Sequence, residues 1–286
     1  MHKSRKKKEK FKNYFLFKEF HIYQEFKGFD AIPKIYYGGS IGNINVLAME
    51  LLGLSLEELF FKYKKFSLLT ILMIADQVIE IIEFIHSKNY ILCDMKPGNF
   101  VIGKGDNKNK IYVIDFGLYI KYMDPKTGLH IPYREGCRFA GVLNFASING
   151  HLGIQLSRRD DIESFGYMLV YFLKGGLPWK NIRAPTFRDR ALKIKDFKLN
   201  TTLDNICSGT PEEIKEIINY AKNMKFEESP NYTYIKNLIK QIAVKNQLVF
   251  DNNKFEWMSQ DSSGILPNSQ EYLGKQTNSQ VKPSNI

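Results

Sequence analysis

Asp115-Phe116-Gly117 follows Asp94 by 21 residues, with Lys96 and Asn99 between them, and few folds can hold four such residues in that order. The apolar run Ile111-Tyr112-Val113-Ile114 leads directly into Asp115, so this carboxylate is expected at the end of a short buried strand, rigidly placed. Asp94 and Asn99 stand five residues apart, behind a long stretch with helical apolar spacing. Taken alone, Asp-Phe-Gly is ordinarily a strand followed by a turn. The ordered set, placed around apolar strands and after a helix, is a far more specific pattern.

This order is what metal-assisted phosphoryl transfer on a protein kinase scaffold requires. There the catalytic-loop Asp orients the substrate hydroxyl and accepts its proton, the Asn five residues on holds one Mg²⁺, and the Asp of Asp-Phe-Gly holds the other. The chain resembles the casein kinase I family of serine/threonine protein kinases through Met49-Glu50-Leu51-Leu52-Gly53, Phe84-Ile85-His86-Ser87-Lys88-Asn89 and His130-Ile131-Pro132-Tyr133-Arg134-Glu135. Ala146-Ser147-Ile148-Asn149, which stands where most kinases carry Ala-Pro-Glu, and Ser157-Arg158-Arg159-Asp160-Asp161 belong to the same resemblance, which runs from about Glu19 to Met258.

The resemblance implies an α+β, protein-kinase-like two-lobed fold with an incomplete small β lobe and a mainly helical large lobe. It implies ATP and Mg²⁺ as cofactors and Ser or Thr of protein substrates as acceptors. Asp94 would be the base, Lys96 would meet the γ-phosphate, and Asn99 and Asp115 would hold Mg²⁺. Residues 50–53 would form the hinge at the adenine edge, with Glu50 and Leu52 offering backbone groups and Met49 at the back of the pocket. Glu19 falls where the resemblance places the glutamate of the αC helix, and Asp161 where an aspartate anchors the catalytic loop. A helix N-terminal acid, favourable with the dipole, explains Asp161 equally well.

Composition narrows the remaining classes. With 286 residues, 44% apolar and 14% aromatic, the chain is expected to be globular with a substantial core. Three scattered cysteines, Cys93, Cys137 and Cys207, support neither a disulfide framework nor a zinc site, so a reducing compartment is expected. No run of about 18 apolar residues and no apolar signal-peptide core occurs, so an intracellular, soluble protein of cytoplasm or nucleus is expected. Residues 1–12 carry Lys3, Arg5, Lys6, Lys7, Lys8, Lys10 and Lys12 against Glu9, a net of +6 that leaves +5 of the total +11 for the rest. Without interleaved aromatics this run reads as a solvated arm rather than a nucleic-acid platform. A monomer acting on protein substrates is the expectation.

Along the chain, residues 1–13 read as a basic arm and 14–258 as the kinase-like domain, with a small-lobe remnant at 14–50 and a large lobe at 54–258; 259–286 reads as a polar, disordered tail. Spacing predicts helices over 15–26, over 67–87 with Ser67 as N-cap, from Asp161 through Phe172 to Gly175-Gly176, after Pro211, and over 232–245. Ile35-Tyr36-Tyr37 and Val46-Leu47-Ala48-Met49 predict two strands, with turn signals at Gly38-Gly39 and Gly42-Asn43.

Several positions depart from the family. The 18 residues before Glu19 hold no Gly-x-Gly-x-x-Gly and no apolar strand to carry a phosphate-binding lysine, whereas three strands need roughly 25 residues. Leu92-Cys93-Asp94 replaces His-Arg-Asp, Gly98 replaces an acidic residue, and Val142 replaces a Thr that bridges the catalytic Asp and Lys. Cys137 and Asn144 occupy positions where basic residues read acidic or phosphorylated substrates, with Arg138 and Lys198 as partial substitutes. An active kinase, a pseudokinase used as a binding module, and a piece of a longer kinase all stay open.

Overall fold

The structure is a computed structural model that describes residues 16–42, 44–251 and 254–258. The basic arm, Asn43 and the polar tail lie outside the described residues.

The chain enters the described region on helix α1, residues 16–25, whose inner face buries Ile22 and Tyr23, with Phe26 buried just beyond its end. Strands β1 (Ile35–Ile41) and β2 (Ile44–Met49) then pair antiparallel, turning beside Gly42 at φ +59°. The turn expected at Gly38-Gly39 is not there, because β1 runs through both glycines. Their role is close approach: a Cβ on Gly38 would sit 2.2 Å from Cδ2 of Phe20, so α1 packs its ring onto bare backbone.

Helix α2 (Leu56–Tyr63) opens on a reciprocal capping box between Ser55 and Glu58. Helix α3 (Leu68–Ser87) starts where the spacing predicts, with the Ser67 hydroxyl accepting from the Thr70 amide. It buries Ile71, Leu72, Ile74, Val78, Ile79, Ile81, Ile82 and Ile85. At roughly 1.5–3 kcal/mol for each such side chain, this burial far outweighs a cap of about 1 kcal/mol, so packing makes the helix and the cap sets where it begins.

Short strands follow: β3 (Tyr90–Ile91), β4 (Phe100–Ile102), β5 (Ile111–Val113) and β6 (Ile120–Lys121), with β3 paired to β6 and β4 to β5, both antiparallel. The helical part continues through α4 (Ile148–Leu152), α5 (Arg158–Lys174), α6 (Phe187–Asn200), α7 (Leu203–Ile206), α8 (Glu212–Asn223) and α9 (Tyr232–Lys245). Helix α3 packs on α5 and α9, and α5 on α8, around one continuous core that also takes in Ile22, Tyr23 and Phe26 of the first helix and its end. Gly175 at φ +74° ends α5, as its Gly-Gly signal predicts. Residues 254–258 close over the start of α3, where Phe255 stacks on Trp257 at 4.5 Å and Trp257 meets Phe66 at 5.8 Å.

The result is the expected α+β arrangement, mainly helical with small antiparallel sheets. Among the described residues no helix is long and apolar enough to cross a membrane.

Candidate active site

Asp94 lies three residues past the end of β3 and Asp115 two past the end of β5. Backbone hydrogen bonds fix the approach, since Ile114 N–H donates to the Asn99 carbonyl at 2.9 Å and Asn99 N–H to the Lys96 carbonyl at 3.1 Å. Cys93 and Asp115 both take positive φ, +62° and +67°, strained positions that the surroundings must hold in place.

Asp161, at the head of α5, holds the first of them. Its Oδ1 accepts from Cys93 N–H at 3.0 Å, and its Oδ2 from Leu92 N–H at 2.7 Å and from His86 Nε2 at 2.8 Å. The anchoring role is therefore what the structure shows for this residue. His86 Nδ1 faces the Tyr232 hydroxyl at 2.7 Å, which ties α9 into the same network.

Asp94 is 7% exposed, and Lys96 Nζ donates to its Oδ2 at 2.6 Å. Asn99 Nδ2 donates to the Asp94 carbonyl at 3.0 Å, which leaves the Asn99 side-chain oxygen for another group. Asp94 Oδ1 is buried without a hydrogen-bond partner. A buried carboxylate oxygen with no donor is costly, and this one lies against the Gly141 backbone, where an added Cβ would come to 3.3 Å from it. The Thr expected between Asp94 and Lys96 is absent, yet the two bond directly. Gly141, before Val142, takes φ +89°, and a Cβ there would reach 2.6 Å from the Cys93 carbonyl, so only glycine lets this loop approach.

Asp115 is exposed, its Oδ1 accepting from Gly117 N–H at 3.2 Å. Glu19 accepts from Phe116 N–H at 3.3 Å, and among the described residues its carboxylate pairs with no cation. Burial raises the Glu19 pKa, Asp115 adds to the rise, and the Phe116 amide opposes it. In the segment expected as a hinge, Glu50 N–H donates to the Lys34 carbonyl, whereas no hydrogen bond among the described residues occupies the Leu52 backbone. Met49 is partly buried against the core behind them.

Two features escape the sequence. Glu57 of α2 brings Oε2 to 3.0 Å from where a Gly98 Cβ would lie, so its carboxylate occupies the space beside that glycine. Desolvation raises the Glu57 pKa while the charge of Lys96 lowers it. Lys198 is the other. It is neither a substrate-reading cation nor a surface charge, being 1% exposed and donating to the carbonyls of Ala146 (2.6 Å), Leu143 and Asn144 (both 3.4 Å). Burial pulls its pKa down to about 7, with Glu163 opposing. It lies over the Tyr167 and Trp179 rings, a cage that braces the loop 143–146. Asn144 is likewise engaged, its Oδ1 accepting from Arg190 at 3.2 Å. Arg138 is exposed and lines a cleft of about 400 Å³ with Arg134, Cys137 and Gln155.

A family model of the protein kinase domain matches residues 1–247. The chain belongs to the protein kinase domain family. Membership carries phosphoryl transfer from ATP with a divalent metal, and protein substrates, as the family's general chemistry. Among the described residues no cluster of three or more His, Cys, Asp or Glu could hold a metal by itself.

Proposed function

We propose that the chain is a serine/threonine protein kinase of casein kinase I type, transferring the γ-phosphoryl group of Mg·ATP to protein Ser or Thr. The buried carboxylate of Asp94 carries this reading: Lys96 donates to its Oδ2, Asn99 donates to its carbonyl, and the amide of Ile114, next to Asp115, donates to the Asn99 carbonyl. Asp94 accepts the substrate proton while Lys96 holds Oδ2 and meets the γ-phosphate. Asn99 through its side-chain oxygen and Asp115 through its carboxylate would hold Mg²⁺, whose chemistry there would be to neutralise charge on the nucleotide's phosphates. Leu52 and Glu50 take the adenine edge against Met49. The domain comprises 14–258, with a small lobe at 14–50 and a large lobe at 54–258.

A second reading, a pseudokinase that acts as a binding module, is favoured by Glu19. Its carboxylate bonds the Phe116 amide and pairs with no cation among the described residues. Loss of one preorganised electrostatic group typically costs about 10²–10³ in rate.

Turnover with labelled ATP and casein decides between them. The expected result is measurable phosphorylation that falls by about 10²-fold or more in Asp94→Asn. Calorimetry with Mg·ATP should show binding by the parent and none by Asp115→Asn. Mg·ATP binding without turnover in the parent supports the pseudokinase, and equal turnover by parent and Asp94→Asn removes Asp94 from the chemistry.

A further inference from the structure

Three side chains on one face of α1 grip the backbone beyond β5. Asp115 N–H donates to the Tyr23 hydroxyl and Phe116 N–H to Glu19, each at 3.3 Å, and Lys18 Nζ donates to the Tyr119 carbonyl at 2.6 Å. The first two hold Asp-Phe-Gly itself. The third is the shortest and reaches furthest along the chain. Tyr119 directly precedes β6, β6 pairs with β3, and β3 leads through Leu92 and Cys93 to Asp94. Lys18 therefore connects one end of α1 to the strand pair from which the catalytic loop hangs, while at the other end Glu25 accepts from the Tyr90 hydroxyl of β3 and from Lys121 Nζ of β6, each at 3.0 Å.

Between these two polar ends lie ring contacts: Tyr23 to Phe116 at 4.3 Å, Phe26 to Phe116 at 5.3 Å and Phe26 to Tyr119 at 6.5 Å. Ring contacts of this kind bury area but leave a helix free to slide or tilt. A charge-assisted hydrogen bond is directional. Lys18 is eight residues from Phe26, about 12 Å at the helical rise, so it acts at the far end of the lever that the aromatic cluster pins. Lys18 is partly buried, and that burial lowers its pKa.

We propose that Lys18 is a positioning residue, whose ammonium latches the start of α1 to the Tyr119 carbonyl and helps hold Asp115 and the catalytic loop in register. The latch rests on the kinase reading for its consequence in turnover, and on geometry alone for its existence.

Hydrogen exchange by mass spectrometry on the full chain tests it, comparing the parent with Lys18→Met, Lys18→Arg and, as a control for lost charge, Lys27→Met at an exposed position just past α1. Losing a charge-assisted bond corresponds to roughly tenfold or more in a local opening equilibrium. Exchange over 116–122 is therefore expected to quicken by about that factor in Lys18→Met, and to stay parental in Lys18→Arg and Lys27→Met. In the turnover assay kcat should fall about tenfold in Lys18→Met with KM for the protein substrate unchanged, and Lys18→Arg should restore it. Parental exchange in Lys18→Met overturns the latch, as does an equal effect of Lys27→Met. A parent chain without turnover would remove the kinase reading, while the exchange result would still decide the latch.

Discussion

At the scale of single residues, the polar groups beneath the loop 143–146 give the molecule a defined acid response. His151 Nε2 donates to the Leu143 carbonyl at 3.1 Å in its neutral form. Burial, with the charge of Lys198, pulls its pKa from 6.5 to about 3. Between those two values the unfolded chain binds a proton that the folded chain does not, so stability rises with pH through the window and is lost as pH falls. Asp160 works oppositely, because burial lifts its pKa from 3.8 to about 6, against hydrogen bonds from Ser157, Asn149 and Ser147. A His151→Gln variant keeps a donor for Leu143 and leaves Asp160 in place. Urea titrations between about pH 4.5 and 6 should therefore give stability a slope against pH that is more positive in the parent than in the variant by ~1.4 kcal/mol per pH unit, the value for one proton. Equal slopes would mean that His151 charges freely in the folded protein. None of this is visible in sequence, where His151 is one of five histidines and Lys198 one of 41 basic residues.

At the scale of elements, helix starts and stops were legible and close approaches were not. Ser67, Gly175 and the 232–245 spacing name their helices because caps and apolar periodicity are local properties. The Ser67 cap is also measurable, since Ser67→Ala should lower stability by about 1 kcal/mol in urea denaturation, with no change in the exposed-surface dependence. A loss near zero would show that the Glu256 carboxylate, which accepts from Ser67 N–H at 2.6 Å, already fixes this end. Gly38 and Gly39 were misread as a turn because Gly-Gly signals either a bend or a place where another group comes near. Only the position of Phe20, 18 residues earlier, separates the two. Helix α6 was missed for a related reason: of its 14 residues only Ile194 and Lys198 are buried, so it carries little apolar periodicity.

At the scale of the whole molecule, one continuous core joins α1, the short sheets and the helical part, and residues 254–258 seal it. Phe255 and Trp257 are 1% and 6% exposed, and Trp257 Nε1 donates to the Lys108 carbonyl at 2.9 Å. Trp257→Ala should therefore cost ~3–5 kcal/mol, the range for a large aromatic removed from a core, read as a fall in the urea midpoint. A loss below about 1 kcal/mol would show that this segment merely lies on the surface. The sequence by itself determined the order and spacing of Asp94, Lys96, Asn99 and Asp115, the class of fold, and the principal helices, because each depends on neighbours within a few residues or on one period. Only the tertiary structure decided that Asp161 anchors Leu92 and Cys93, that Glu57 fills the space beside Gly98, that Lys198 is buried under a loop, and that Lys18 reaches Tyr119. Each joins residues from 41 to 101 positions apart, and such pairings follow from how elements pack rather than from any pattern along the chain.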